Sequence, residues 1–270
     1  MGQPVAGNPT QFMMERAFQA AGLDWCCLTL EVSPENLGDA VRGVRAMGFK
    51  GANVTIPHKV AVIEYLDSLT ESAALMGAAN CIYRAEDKLV GENTDGKGFV
   101  QSLRTVSDPA GKKIVLLGAG GVARAIAVAL GTAGAGHITV VNRTRERGEA
   151  LADLLNEKAG TSARFIAWEE ELAVPEDAEI LINATSVGVL DPEMPLPLKL
   201  DTLKPPLVVA DVVFNPPCTW LLQEARQRGC TTLNGLGMLV NQAALDFEIW
   251  TGRQPDAAIM REAVEEFLEI

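Results

Sequence analysis

Residues Gly91–Phe99 read GENTDGKGF, one letter short of a nucleotide-phosphate loop. That loop asks for Gly, four residues, Gly-Lys and then Ser or Thr. Gly91, Gly96 and Lys97 fit, but Gly98 stands where a magnesium-binding hydroxyl belongs. A second glycine cluster is better placed. IVLLGAGGVARAIAVAL sets Gly118, Ala119, Gly120, Gly121 and Val122 between an apolar run and an Ala-rich helical pattern. Glycine there lets the backbone turn sharply and approach a pyrophosphate whose charge rests at a helix N-terminus. Glycines also serve plain turns, so the flanking strand and helix carry the reading of a dinucleotide site.

The next apolar run, HITVV, ends in NRTRER. An NAD site carries an acid at that strand end for the adenosine ribose. Here Asn142 takes its place, followed by Arg143, Thr144, Arg145 and Arg147. Guanidinium groups bind a 2′-phosphate through charge-assisted, often bidentate hydrogen bonds. Cations at a helix start also oppose the macrodipole, which an ordinary surface would avoid. The pattern therefore favours NADP over NAD.

Elements that position these loops are legible from apolar runs. DWCCLTLEV (Asp24 to Val32) and GANVTI (Gly51 to Ile56) read as strands, with a helix from Pro34 to Met47 opened by Ser33. NCIYRAEDKLVGEN reads as a hairpin turning near Glu86 and Asp87. After Asp95, the runs KKIVLL, HITVV, AEILINAT and PLVVADVV lack polar alternation, as expected of a parallel sheet covered on both faces. Helices over about Gly237 to Trp250 and Asp256 to Leu268 close the chain. With 270 residues there is room for two α/β domains: residues 1–95 plus 236–270, and a Rossmann-type domain over 96–235.

The net charge of −12 argues against nucleic acid as a partner. Cysteines 26, 27, 81, 218 and 230 show no zinc spacing, and their odd number suits reduced thiols in the cytoplasm. No metal site and no membrane partner are expected, and a monomer or homodimer is. The chain opens directly on a Gly-Pro loop with no strand before it. The expectation from that opening is a natural protein extending before Met1.

GANVTIPHK, GAANCI, ENTDGKGF, GAGGVAR, VNRTRER, INATSVG and NGLGMLVNQA occur in the order and spacing of the shikimate dehydrogenase family, which the chain resembles over almost its whole length. The resemblance implies a substrate domain with an inserted Rossmann domain, and NADPH-dependent reduction of 3-dehydroshikimate to shikimate. Relatives that use quinate or aminoshikimate, and ligand sensors without turnover, are the alternatives. It implies Lys59 and Asp95 as the catalytic pair, where each alone would read as a solvated lysine at a helix start and a helix N-cap. It implies substrate contacts from Thr55, Asn80 and Gln242, although Asn80 could equally cap a hairpin and Gln242 sit on a helix surface. Val212 and Gly235 match positions beside the nicotinamide; Glu71 matches one sometimes given to the cofactor but suits a solvated helix acid as well. His58 reads as a helix-start residue. The near-miss phosphate loop is then no P-loop, and Asp95 is its working residue.

The N-terminal loop departs from the pattern. The family reads His-Ser-x-Ser-Pro, with two serine hydroxyls on the substrate carboxylate. This chain has Gly7, Asn8, Thr10 and Gln11 at the His, the two Ser and the Pro, and Phe214 replaces a tyrosine. Asn8 and Thr10 still offer donors, but a lost hydrogen-bond partner costs about 1–3 kcal/mol, enough to change substrate preference.

Overall fold

The structure is a computed structural model covering residues 1–270. It divides into two compact units, residues 1–98 with 240–270, and residues 99–239. The first holds α1 (Thr10–Ala20), α2 (Leu37–Ala46), β1 (Gly51–Asn53), β2 (Ser68–Leu69), α3 (Glu71–Met76), β3 (Cys81–Ala85) and β4 (Lys88–Glu92). Then α4 (Asp95–Leu103) leads into the second unit, which holds β5 (Lys113–Leu117), α5 (Gly121–Thr132), β6 (His137–Asn142), α6 (Arg145–Lys158), β7 (Ser162–Ala167), β8 (Ile180–Asn183), β9 (Val208–Asp211), α7 (Trp220–Gln227) and β10 (Thr231–Leu233). The chain returns through α8 (Leu236–Thr251) and ends with α9 (Ala257–Leu268).

The sheet of the first unit runs β1-β3-β4-β2. Its centre is the β3–β4 hairpin, in register from Cys81 opposite Glu92 to Ala85 opposite Lys88. Glu86 turns it with φ 54°, a left-handed residue of the kind a tight hairpin requires. Val41, Val44, Val54, Val62, Ile82 and Leu89 form the core beneath, each worth about 1.5–3 kcal/mol when fully withdrawn from water. On α1 and α8, Phe18 stacks on Phe247 with ring centroids 5.4 Å apart.

The stretch from Asp24 to Val32 is not a strand. It makes one isolated bridge, Glu31 with Gly2, and Val32 N–H donates to Gly2 O at 3.0 Å. Thr29 N–H donates to the Gln11 side chain instead of a neighbouring strand, and Leu28 and Leu30 remain exposed. Alternating apolar residues suit a strand, but a ladder needs a second backbone alongside, and none pairs here. GANVTI likewise contracts to three paired residues. The helix expected from Pro34 begins as a 3₁₀ turn over Pro34–Asn36 and becomes α-helical at Leu37.

In the second unit six parallel strands run β10-β9-β8-β5-β6-β7. Ile180–Asn183 and Val208–Asp211 are buried throughout, the result of helices covering both faces. Two of these strands, β7 and β10, lack the long apolar runs that make a strand legible in sequence. The strand order reverses between β5 and β8, and in open parallel sheets ligands bind beyond the strand ends at such a switch point.

Candidate active site

In the first unit the β3–β4 hairpin sets the site. Asn80, one residue before β3, receives its backbone fix from both sides: its N–H donates to Glu92 O at 3.1 Å and its carbonyl accepts from Val54 N–H at 2.8 Å. Lys59 is tied to the same hairpin, since its carbonyl accepts from Ala79 N–H at 2.8 Å. Asp95 begins α4 three residues after β4. These short connections bring the Lys59 ammonium to Asp95 Oδ2, donating at 2.6 Å. The Asp95 side chain is 9% exposed and that of Lys59 21%, so the pair interacts more strongly than a surface ion pair. Lys59 lies in a turn ahead of a 3₁₀ segment at Ala61–Tyr65, not at an α-helix start.

The Asn80 amide nitrogen faces three acceptors: Thr94 Oγ1 at 2.9 Å, Gln242 Oε1 at 3.1 Å and Asp95 Oδ1 at 3.3 Å. Its carbonyl accepts from Thr94 N–H at 2.7 Å. Gln242 is 8% exposed and so is no helix-surface amide, while Asn80, 2% exposed, both closes the open end of the hairpin through Thr94 N–H and faces this group. Lys59, Asp95, Asn80 and Gln242 thus form one connected group, a cation beside a carboxylate with two amides. Such a group can hand a proton to an oxygen and hold the hydroxyls next to it. Gly98 belongs to this arrangement for a steric reason. A Cβ there would lie 2.6 Å from the backbone nitrogen of Gln242, so the residue that would be a serine or threonine in a phosphate loop must be glycine for α8 to pass.

Other expected substrate residues stand outside the hydrogen-bonded group. Asn8 Oδ1 accepts from Thr10 N–H at 2.9 Å, which commits the Asn8 oxygen to starting α1 and leaves its NH₂ to donate. Thr55 is held by its backbone, its N–H donating to Met1 O at 2.9 Å. Glu71 is an exposed first-turn acid of α3. His58 differs from the expectation. It is buried, its Nε2 lies 2.7 Å from Val32 O, and it anchors the loop at Val32 from inside the unit.

Three residues around the group carried no site reading in sequence: Thr94, Asn53 and Asp246. Thr94 donates its hydroxyl to Asp246 Oδ1 at 2.7 Å, and Asn53 donates its amide to Asp246 Oδ2 at 2.6 Å. Asp246 is fully buried, and desolvation pushes its carboxyl up to about 7 against the hydrogen bonds it accepts. A signal was present. Asp246 lies four residues after Gln242 in a largely apolar helical run, hence on the same face. Nearby, burial alone would raise Glu92, but hydrogen bonds from Ser72, Lys97 and Asn93 N–H outweigh it and bring it below the usual range.

The second unit carries the glycine loop at the switch point. Gly118 has φ 107°, and a Cβ on it would sit 2.9 Å from Ala184 O of the loop after β8. Gly120 and Gly121 face open space, and the α5 N-cap at Gly120 has no side-chain hydrogen bond. Free backbone N–H groups at an uncapped helix start, approachable because no side chain covers them, fit a pyrophosphate. At the end of β6 the Asn142 amide donates to Thr144 O at 2.8 Å and shapes the turn into α6. Arg145 pairs with Glu149 at 3.1 Å and lies over the Phe165 ring, whereas exposed Arg143 and Arg147 make neither contact. Val212 follows β9, and a Cβ on Gly235 would collide with its carbonyl oxygen. The Val212 loop is held by Asp211, which accepts from Thr219 at 2.7 Å, Asn183 at 3.1 Å and Val213 N–H at 3.0 Å. Phe214 is half-buried. No helix is long and apolar enough to cross a membrane, and no group of three or more His, Cys, Asp or Glu could hold a metal ion.

Residues 1–82 match the shikimate dehydrogenase substrate binding domain, residues 101–190 the shikimate/quinate 5-dehydrogenase family, and residues 235–265 the shikimate 5′-dehydrogenase C-terminal domain. A shikimate dehydrogenase (NADP(+)) from Methanopyrus kandleri is 46% identical over 99% of this chain and 94% of its own. The 5-ketofructose reductase of Gluconobacter sp. strain CHM43 is 49% identical, with a TM-score of 0.95 over 98% of this chain and 96% of its own. The Thermus thermophilus shikimate 5-dehydrogenase, solved with NADP(H) and shikimate, is 35% identical, with a TM-score of 0.87 over 99% of this chain and 97% of its own. Matched along nearly its full length, and with the GANVTIPHK lysine joined to the ENTDGKGF aspartate, this chain belongs to the shikimate dehydrogenase family.

Proposed function

We propose that the protein is an NADP-dependent oxidoreductase of the shikimate dehydrogenase type, reversibly reducing 3-dehydroshikimate to shikimate. The observation that carries this reading is the half-buried Lys59–Asp95 pair at 2.6 Å with the Asn80 and Gln242 amides beside it. When bound, NADPH would supply the hydride that the ketone carbon takes up. Negative charge then grows on the ketone oxygen, and Lys59 is the group that gives it a proton, while the Asp95 carboxylate orients the ammonium and the amine left behind regains its proton from solvent. Asn80, Gln242 and Thr55 hold the neighbouring hydroxyls; Asn8 and Thr10 donate to the substrate's acid end. Residues 1–95 with 236–270 are the substrate domain and 96–235 the cofactor domain. Gly118, Ala119, Gly120, Gly121 and Val122 would hold the pyrophosphate, Asn142, Arg143, Thr144 and Arg147 the adenosine end, and Val212 and Gly235 the nicotinamide. The same reading places the enzyme in the cytoplasm, as a monomer or homodimer. Absorbance at 340 nm with shikimate and NADP⁺ tests it directly. Growth of NADPH is expected; none, with either this pair or its reverse, would overturn it.

A second reading is favoured by the N-terminal loop: an uncarboxylated polyol ketone as substrate. Asn8 stands where the family has a serine, Phe214 has no hydroxyl to offer where the family has a tyrosine, and a 49% identical neighbour is a 5-ketofructose reductase. Oxidation of NADPH by 5-ketofructose, against 3-dehydroshikimate at equal concentration, separates the two.

A further inference from the structure

Three polar side chains connect the buried end of α8 to the catalytic pair. Asp246 Oδ1 accepts the Thr94 hydroxyl, and Thr94 Oγ1 accepts an Asn80 amide proton at 2.9 Å. The other Asn80 proton is left for Asp95 Oδ1 and Gln242 Oε1. We propose that Asp246 is a positioning residue: by accepting the Thr94 hydroxyl it fixes the direction of the Asn80 amide beside Asp95.

An ionised carboxylate only accepts, so Thr94 must point its single proton at Asp246 and turn its lone pairs toward Asn80. The other oxygen of Asp246 accepts from the Asn53 amide at 2.6 Å, and the Cys81 thiol also hydrogen-bonds the carboxylate. Of these bonds the one from Thr94 can reverse, because a hydroxyl accepts as well as donates while an amide NH₂ only donates, so an arriving proton is taken up on Oδ1, facing Thr94. The Thr94 hydroxyl then receives a donor where it had an acceptor, its own proton turns away, and the Asn80 amide loses a fixed partner. The exchange occurs near neutral pH, since burial brings the carboxyl to about 7. The titratable groups that reach Asp246 are the Cys81 thiol of β3, which burial keeps protonated, and the Asp95 carboxylate of α4, whose charge opposes ionisation. Glu92 and Lys97 bond each other at 2.9 Å. The inference rests on the proposed function in one respect, that Asn80 faces the substrate.

The test has a ligand-free arm and a kinetic arm on the full chain. In the first, the Asn80 side-chain NH₂ resonances are followed by NMR from pH 5 to 9 in the wild type, Asp246→Asn and Thr94→Val. A shift with its midpoint near 7 is expected in the wild type and in neither variant. In the second, both variants are expected to raise KM for the ketone about tenfold while kcat changes by less than about threefold, and to lose the improvement in wild-type kcat/KM as pH rises through 7. Thr94→Val keeps the buried carboxylate and decides the matter should Asp246→Asn not fold. An Asn80 signal that titrates identically in the wild type and Thr94→Val, or a KM untouched in both variants, would overturn the inference. A wild type that turns over no ketone would sink the proposed function instead, and the amide titration would still decide this one.

Discussion

Removing the Lys59 ammonium is the sharpest perturbation the site permits. In Lys59→Ala, Asp95 loses its 2.6 Å donor and keeps only the weaker Asn80 contact at 3.3 Å. Two consequences follow. The carboxylate, 9% exposed, is left without its cation, which should cost about 1–3 kcal/mol of stability, since water still reaches the site in part. The growing alkoxide also loses its proton donor, a change worth about 100-fold or more in turnover, or about 2.7 kcal/mol of barrier. NADP⁺ affinity should stay within about twofold, because the glycine loop and the arginines belong to the other unit of the chain. The assay is steady-state kcat at 340 nm with saturating NADPH and 3-dehydroshikimate, paired with NADP⁺ binding by calorimetry and a melting curve to confirm folding. Wild-type kcat in a folded Lys59→Ala protein would remove Lys59 from the mechanism. A preserved kcat with a tenfold loss of NADP⁺ affinity would make it a cofactor residue.

Replacing both Arg143 and Arg147 by Ala should weaken NADP⁺ binding by an order of magnitude or more, as expected for lost charge-assisted hydrogen bonds, and leave NAD⁺ binding nearly unchanged; equal losses in calorimetry would show that neither arginine reads the 2′-phosphate. Gly98→Ala should push back the α8 backbone at Gln242 and raise KM several-fold with NADP⁺ affinity preserved, because the added Cβ meets the Gln242 nitrogen at 2.6 Å. An unchanged KM would mean that Gln242 is not a substrate contact. Asp246 also links stability to pH. Its carboxyl is raised from 3.8 to about 7, so the folded state binds the extra proton and this stabilisation, a few kcal/mol by linkage, is full below about 4 and lost as pH rises through 7. The wild-type melting temperature should accordingly fall more steeply between pH 5 and 8 than that of Asp246→Asn. Parallel slopes would refute the buried titration.

Much of this protein was determined by sequence alone. A strand buried on both faces must be apolar along its length, which is why KKIVLL, HITVV and the cores of AEILINAT and PLVVADVV were legible as β5, β6, β8 and β9. A strand-to-helix turn that must approach a pyrophosphate needs glycine, which is why Gly118 stood out, whereas the need for glycine at Gly98, where α8 passes, came only from the packing. Family membership rested on the same local constraints. Tertiary structure alone decided the rest. Asp24 to Val32 alternates as a strand does, but strand formation depends on a partner backbone, and the only pairing is the single bridge of Glu31 with Gly2. The missed β7 and β10 draw their hydrogen bonds from neighbours rather than from apolar runs of their own. His58 looked like a helix-start residue because burial is not written in a residue's own letter; Val32, 26 positions away, accepts it. The same holds for Asp246, whose proton affinity is raised by the absence of water and opposed by the hydrogen bonds from Thr94, Cys81 and Asn53 on three other segments. Sequence names the groups that can ionise or donate, but solvent exclusion and hydrogen-bond polarity arise only when distant segments close around them.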